Sequence, residues 1–142
     1  MTRLQAMRWF AEQAAGQYVI FCKGDNWCMS MISAKPKIFY PTNYMELNED
    51  DMAFRKNFIS RCPVASDCLD VTLTILHELG HYFTKEVFLQ TSLVEYANAE
   101  GEEHFKQPCE IAATDWAIKW IENDENINTI VTFENAFLRA ER

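Results

Sequence analysis

The chain of 142 residues is long enough for one domain with a buried core. Its composition supports such a core and excludes a disordered protein, because 49% of the residues are hydrophobic and 13% are aromatic. The net charge of −8 argues against direct binding to nucleic acid, which requires clustered Lys and Arg. No apolar run approaches the ~18 residues that cross a bilayer, so we expect no membrane contact.

Residues 1–16 alternate apolar and polar groups at helical spacing and lack the continuous apolar core of a secretion signal. The five cysteines are an odd number, which in the absence of such a signal favours reduced thiols. We therefore expect a soluble, cytoplasmic protein. The sequence carries no signal of the oligomeric state.

The N-terminal part predicts one helix and three strands. Residues 2–17 have the apolar periodicity of an amphipathic helix. Composition then predicts a strand, a turn and the returning strand of a hairpin at 18–22, 23–26 and 27–33. A third short strand at 37–40 lies between Pro36 and Pro41, so we expect it at the edge of the sheet.

The remainder of the chain predicts helices. Their expected ranges are 48–60, 66–84, 93–99, 109–123 and 133–140. Ser66 and Asp67 are both suitable N-caps for the second of them, and Pro108 suits the first turn of the fourth. The predicted fold is α+β, with an N-terminal helix and a short antiparallel sheet followed by helices, in a single domain over 1–142.

The most informative stretch of the chain is 77–81, which reads HELGH, the HExxH arrangement. Side chains four residues apart project from the same face of a helix, so His77 and His81 can bind one zinc ion with Glu78 beside it. Gly80 costs about 1 kcal/mol relative to Ala in a helix, so we expect a neighbour to approach closely there. The polar residues of this helix share a stripe of about 80°: Asp70, Thr74, His77, His81 and Thr84. Because the remaining circumference is mostly apolar, we expect a buried helix with a metal in a cleft.

A catalytic zinc site needs a third protein ligand and leaves the fourth position to water. Glu110 is favoured, because it begins a predicted helix whose same-side residues are small, namely Ala113, Thr114 and Ala117. The plainer interpretation of Glu110 is a solvated carboxylate favoured by the helix dipole. The other candidates for the third ligand are His104, Glu95, Glu100, Glu102 and Glu103.

HExxH followed at 110–117 by Glu-x-x-Ala-x-x-x-Ala resembles the gluzincin metallopeptidases, in particular the ImmA/IrrE-type peptidases of phages and mobile elements. The resemblance covers roughly 67–121. It implies a small zincin-like fold, Zn²⁺ as cofactor, and proteolysis in the cytoplasm of a bacterial or phage-infected cell. In one respect the chain departs from that family, which often has an acidic residue directly after the first Ala, where this chain has Thr114 followed by Asp115.

The expected function is hydrolysis of a protein or peptide by zinc-activated water, with Glu78 as general base. Stabilisation of the oxyanion needs a second electrophile, for which the candidates are His104, Tyr82 and Tyr96. The candidates for orienting the two histidines are Asp70, Asp115 and Thr74. A peptide could add to a sheet edge at 37–40. The alternative is a catalytically inactive zincin-fold protein that binds a phage or host protein partner; the intact Glu78 favours the enzyme.

Overall fold

A computed structural model describes residues 1–140. Over that range, eight α-helices and a three-stranded mixed sheet form an α+β fold, which confirms the predicted class. The elements are α1 Arg3–Ala15, β1 Ile20–Lys23, β2 Cys28–Met29, β3 Lys37–Tyr40, α2 Glu49–Arg61, α3 Asp70–Phe83, α4 Lys85–Leu89, α5 Leu93–Asn98, α6 Glu102–Phe105, α7 Pro108–Glu122 and α8 Ile127–Arg139. Two 3-10 turns, Pro63–Asp67 and Asp124–Asn126, precede α3 and α8. The last two residues of the predicted domain, 141–142, lie outside the described range.

The helices predicted from apolar periodicity and capping residues form close to their expected positions. Thr2 closes a capping box at the start of α1, and Asn48 does the same for α2. Pro108 occupies the first turn of α7, as expected. Helix α8 starts earlier than predicted, and the short helices α4 and α6 were not predicted. None of the helices in 1–140 is long and apolar enough to cross a membrane.

The strand pairing differs from the predicted hairpin. The strand order is β1-β3-β2, in which β1 pairs with β3 in parallel and β2 pairs with β3 in antiparallel fashion. The chain does reverse after β1, but β3 inserts between the two predicted partners, so the predicted antiparallel sheet and the edge position of 37–40 are wrong. Pro36 and Pro41 flank β3 without entering it, so every residue of the strand keeps its N–H for pairing. The edge strand beside α3 is β2.

The start of α3 is also corrected. Ser66 and Asp67, the predicted caps, lie in the 3-10 turn, and α3 begins at Asp70 without a local side-chain cap. Glu134, on α8, takes that role, because its Oε2 accepts hydrogen bonds from the backbone N–H of Leu69 at 2.7 Å and from the Thr72 hydroxyl at 2.6 Å. A distant carboxylate therefore accepts one of the free backbone N–H groups at the start of the central helix.

The central helix α3 packs most extensively against α7. Gly80 lies at their contact, where an added β-carbon would stand 2.8 Å from the Cα of Ala113. The predicted close approach at Gly80 is confirmed. On the other side of α3, helices α1 and α8 complete the core, and Phe10 stacks on Phe133 with 4.5 Å between ring centroids. Helix α3 thus contacts α7, α1 and the edge strand β2.

Candidate metal centre

Helix α3 carries both histidines of the HExxH motif on one buried face. His77 is 5% exposed, Glu78 8% and His81 7%, although all three are polar. Their burial follows from the sequence, since apolar residues occupy the remaining circumference of α3 and pack into the core. Buried polar groups require partners, so the surroundings of these three side chains decide what they can do.

The partner that α7 supplies is Glu110, which is 4% exposed. Its Oε2 lies 2.5 Å from His81 Nε2 and 3.5 Å from His77 Nε2. One ligand atom from each of the three residues falls within 4.8 Å of the others, so His77, His81 and Glu110 form a buried group that could bind a metal ion. The alternative third ligands Glu95, Glu100, Glu102 and Glu103 are exposed and outside this group.

Oε2 of Glu110 is the atom that shows whether a metal ion fits between the three side chains. Neither imidazole of α3 directs an N–H at Oε2 with hydrogen-bond geometry, so this buried oxygen has no hydrogen-bond partner. Two imidazole nitrogens and one carboxylate oxygen are the donors that zinc takes in catalytic sites. Burial raises the pKa of Glu110, but the neighbouring imidazoles, His104 foremost, outweigh it and hold that pKa below the usual range. The carboxyl is therefore ionised, as a metal ligand must be.

Thr114 orients the first histidine. Its hydroxyl lies 2.9 Å from His77 Nδ1, and with Nδ1–H as donor the Nε2 lone pair of His77 points towards Glu110 and a metal. Thr114 follows Glu110 by one helical turn and shares its buried face of α7. The sequence predicted only a packing role for Thr114, although its four-residue spacing from Glu110 was a signal of this contact.

The residues expected to orient the histidines are engaged elsewhere. Asp70 forms a 2.8 Å ion pair with Arg55. Asp115 is exposed and pairs with Arg61, and the Thr74 hydroxyl bonds back to the Asp70 carbonyl. Position 115 points away from α3 because it follows Thr114 by one residue, or about 100° of helical rotation. In the structure none of these three side chains has His77 or His81 as its hydrogen-bond partner.

His104 and Tyr96 reach the site from the segment before α7, whereas Tyr82 does not. His104 Nε2 lies 2.5 Å from Glu110 Oε1, so this histidine holds the carboxylate oxygen that the other two leave free. The Tyr96 ring packs 5.4 Å from the His104 ring, and the Tyr96 side chain lines the same cleft. The Tyr82 hydroxyl instead donates to the Ala34 carbonyl at 2.8 Å, and Tyr82 does not line the cleft.

Glu78 lines the cleft beside the three candidate ligands. Burial raises the pKa of Glu78, and the nearby charge of Glu110 adds to the increase, while His81 and His77 oppose it. Its carboxylate makes no hydrogen bond or ion pair with the residues that the structure describes. Glu78 thus presents a carboxyl group without an internal partner beside the three candidate ligands.

The cleft that contains these groups has a volume of about 990 Å³. The α3 stripe forms its floor, and β2, the α2 start and the segment 96–105 form its walls. Phe54 packs against His77 with 5.0 Å between ring centroids and continues to Phe105 at 6.2 Å, so one wall is aromatic. A cleft of this size accepts several residues of an extended peptide.

Comparison of the chain with protein-family models, with curated proteins and with solved structures finds no match in any of the three. The residues of the site therefore carry the functional argument themselves.

Proposed function

We propose that this protein is a zinc-dependent metallopeptidase of the zincin type that hydrolyses a cytosolic protein or peptide. The observation that carries the proposal is the convergence of His77 Nε2 and His81 Nε2 on a buried Glu110 oxygen that has no hydrogen-bond partner. Glu78, which a purely structural metal site does not need, lies beside them at the cleft floor. The resemblance of HExxH and the 110–117 pattern to ImmA/IrrE-type peptidases agrees with this reading and favours a phage or prophage setting.

His77, His81 and Glu110 would hold the zinc, while Thr114 and His104 fix two of these ligands in position. Zinc held by these residues would supply a Lewis acid for the scissile carbonyl and would lower the pKa of a water to about 7. Glu78 takes the proton of the attacking water and passes it to the leaving amine, so no covalent intermediate with the protein is required. The raised pKa of Glu78 suits a group that must both accept and return a proton.

Tyr96 is the best placed of the three candidates for stabilising the oxyanion. Burial and the nearby carboxylates of Glu110 and Glu78 raise the pKa of Tyr96, so its hydroxyl stays protonated and can donate. The hydroxyl has no hydrogen-bond partner within residues 1–140, whereas His104 is already paired with Glu110. Replacing Tyr96 with Phe should lower kcat about 100-fold with a smaller change in KM, as loss of an oxyanion donor does.

An extended substrate would pair with β2 rather than with 37–40. Strand β3 has neighbours on both sides, but β2 is an edge strand, and Cys28 and Met29 line the cleft. Backbone hydrogen bonds to such an edge would align a peptide across the metal centre. The predicted binding edge therefore moves from the third strand to the second.

The decisive experiment combines metal analysis with Glu78→Gln. Purified protein should contain close to one zinc per chain, and Glu78→Gln should keep both fold and zinc while abolishing peptide hydrolysis. His77→Ala is the matched variant, because it should lose zinc and activity together. A zinc-free wild-type protein, or a Glu78→Gln protein that still hydrolyses peptides, would contradict the proposal. If Glu78→Gln retained the biological effect, the alternative of an inactive zincin-fold protein that binds a phage or host partner would replace it.

A further inference from the structure

The cleft is lined by acidic side chains and by no Lys or Arg, which bears on its substrate. Eight of the chain's 21 Asp and Glu residues line it, yet none of the 13 Lys and Arg residues does. Glu78 and Glu110 belong to the metal centre, where a divalent ion would balance their charge. Asp70 is paired with Arg55. Five carboxylates remain without a compensating cation, and we name them the acidic rim: Asp25, Glu46, Asp50, Asp51 and Glu100.

The acidic rim is assembled from separate parts of the chain. Asp25 lies in the turn before β2, Glu46 in the loop before α2, and Glu100 between α5 and α6. Asp50 and Asp51 have a structural reason to be acidic, because they stand in the first turn of α2. The carboxylates of Asp25, Glu46 and Glu100 make no hydrogen bond or ion pair with any residue of 1–140, so helix capping and internal pairing do not explain them.

A second observation ties the rim to a ligand. Glu110, the candidate metal ligand at the floor of the same cleft, is 4% exposed and has an oxygen without a hydrogen-bond partner, so the rim shares its cleft with a buried group that could bind a metal ion. Trp27 and Tyr44 line the wall beside Asp25 and Glu46. Aromatic faces next to carboxylates favour guanidinium and ammonium groups, because cation–π attraction adds to the charge attraction.

We propose that the cleft takes a basic peptide segment, with Lys or Arg side chains on both sides of the bond that lies over the metal centre. The inference rests on the proposed peptidase function for its cleavage step, but the binding of such a segment does not require cleavage. Opposite charges raise the association rate and suppress acidic competitors, and both effects weaken as salt is added.

The test uses the zinc-loaded full chain and two peptide mixtures of equal length and equal apolar content. One mixture carries Lys and Arg at the flanking positions, and the other carries Asp and Glu. We expect kcat/KM for the basic mixture to exceed that for the acidic mixture at least about tenfold, which corresponds to ~1.4 kcal/mol. Equal cleavage of the two mixtures, or preference for the acidic one, would overturn the inference.

Two triple variants show whether the acidic rim is the cause. The first triple variant combines Asp25→Asn, Glu46→Gln and Glu100→Gln. It should remove most of the preference for the basic mixture, because each lost charge should lower the ratio of the two kcat/KM values by roughly a factor of two to five. The control triple combines Glu86→Gln, Glu122→Gln and Glu125→Gln, which change the net charge equally at exposed positions outside the cleft. It should leave the preference for the basic mixture unchanged. An equal loss in both triples would refute a role for the rim.

A binding measurement separates this inference from the proposed function. Zinc-loaded Glu78→Gln is titrated into the two fluorescently labelled mixtures, and anisotropy reports binding without turnover. If neither mixture is cleaved by the wild type but the basic one binds selectively through the rim, the peptidase proposal fails and the inference stands. If peptides are cleaved without regard to charge, the inference fails and the peptidase proposal stands.

Discussion

Replacing Gly80 with Ala adds a single methyl group at the contact between α3 and α7, and intrinsic helix propensity and packing predict opposite results. Propensity alone predicts that Ala stabilises a helix interior by about 1 kcal/mol relative to Gly. In the structure, however, the new β-carbon would lie 2.8 Å from both the Cα and the carbonyl carbon of Ala113. Non-bonded carbon atoms prefer roughly 3.5–4.0 Å, so the two helices would have to separate by about 1 Å.

The energetic outcome follows from comparing these terms. Overpacking of this kind costs about 1–3 kcal/mol, and the clash here is with backbone atoms that cannot rotate away. We therefore expect Gly80→Ala to lower the free energy of unfolding by up to roughly 2 kcal/mol after the propensity gain is subtracted. Metal sites tolerate ligand displacements of only about 0.2 Å. Because α3 carries two of the candidate ligands and α7 carries the third, zinc affinity should fall at least about tenfold.

Urea unfolding of the metal-free protein and competition with a chromophoric zinc chelator measure the two effects. Ala113→Gly provides a matched control, because a clash with the backbone of residue 113 persists when its side chain is removed. The double variant should therefore remain as weak in zinc binding as Gly80→Ala. A Gly80→Ala protein that is more stable than the wild type, or a rescue by Ala113→Gly, would refute the reasoning.

Three further variants or reactions have defined outcomes. Thr114→Val should lower zinc affinity about 10–100-fold in chelator competition, because it removes the partner of the first motif histidine, whereas Asp115→Asn should have no effect. Glu134→Gln should lower the free energy of unfolding in urea by roughly 1–3 kcal/mol, because it weakens two charge-assisted hydrogen bonds at the start of α3. An unchanged urea midpoint would contradict the capping role of Glu134. Iodoacetamide at pH 8 should modify the exposed Cys28 before the buried Cys68. Burial raises the pKa of the Cys68 thiol to about 11, which leaves little of the reactive thiolate. Mass mapping of the alkylated peptides checks the order of modification.

The parts of the site that follow from helical periodicity could be predicted from the sequence. The burial of α3, its polar stripe and the close approach at Gly80 all depend on a repeat of 3.6 residues, which the chain displays directly. The position of Glu110 could be proposed because small residues follow it at helical spacing on α7. Local geometry was sufficient for these features.

Features that depend on residues distant in the chain could not be predicted. The cap of α3 is supplied by Glu134, which accepts a hydrogen bond from the backbone N–H of Leu69, 65 residues earlier in the chain. The order of the three strands depends on where β3 inserts, and turn composition between β1 and β2 carries no information about that. The contact of Thr114 with His77 could not be predicted, because threonine is also a common small packing residue on a helix.

The energetics of Glu78 favour catalysis over a purely structural metal site. A buried carboxylate without a hydrogen bond costs free energy, and the raised pKa of Glu78 expresses that cost. The carboxyl group of Glu78 does not stabilise the fold, because it has no ion pair within residues 1–140 and an apolar side chain would pack at least as well on α3. Two of the three neighbouring candidate ligands, in contrast, have a supporting side chain, Thr114 for His77 and His104 for Glu110. An unstabilised acid beside a well-supported ligand set is what proton transfer requires, since a general base must keep its lone pairs free for the water it activates.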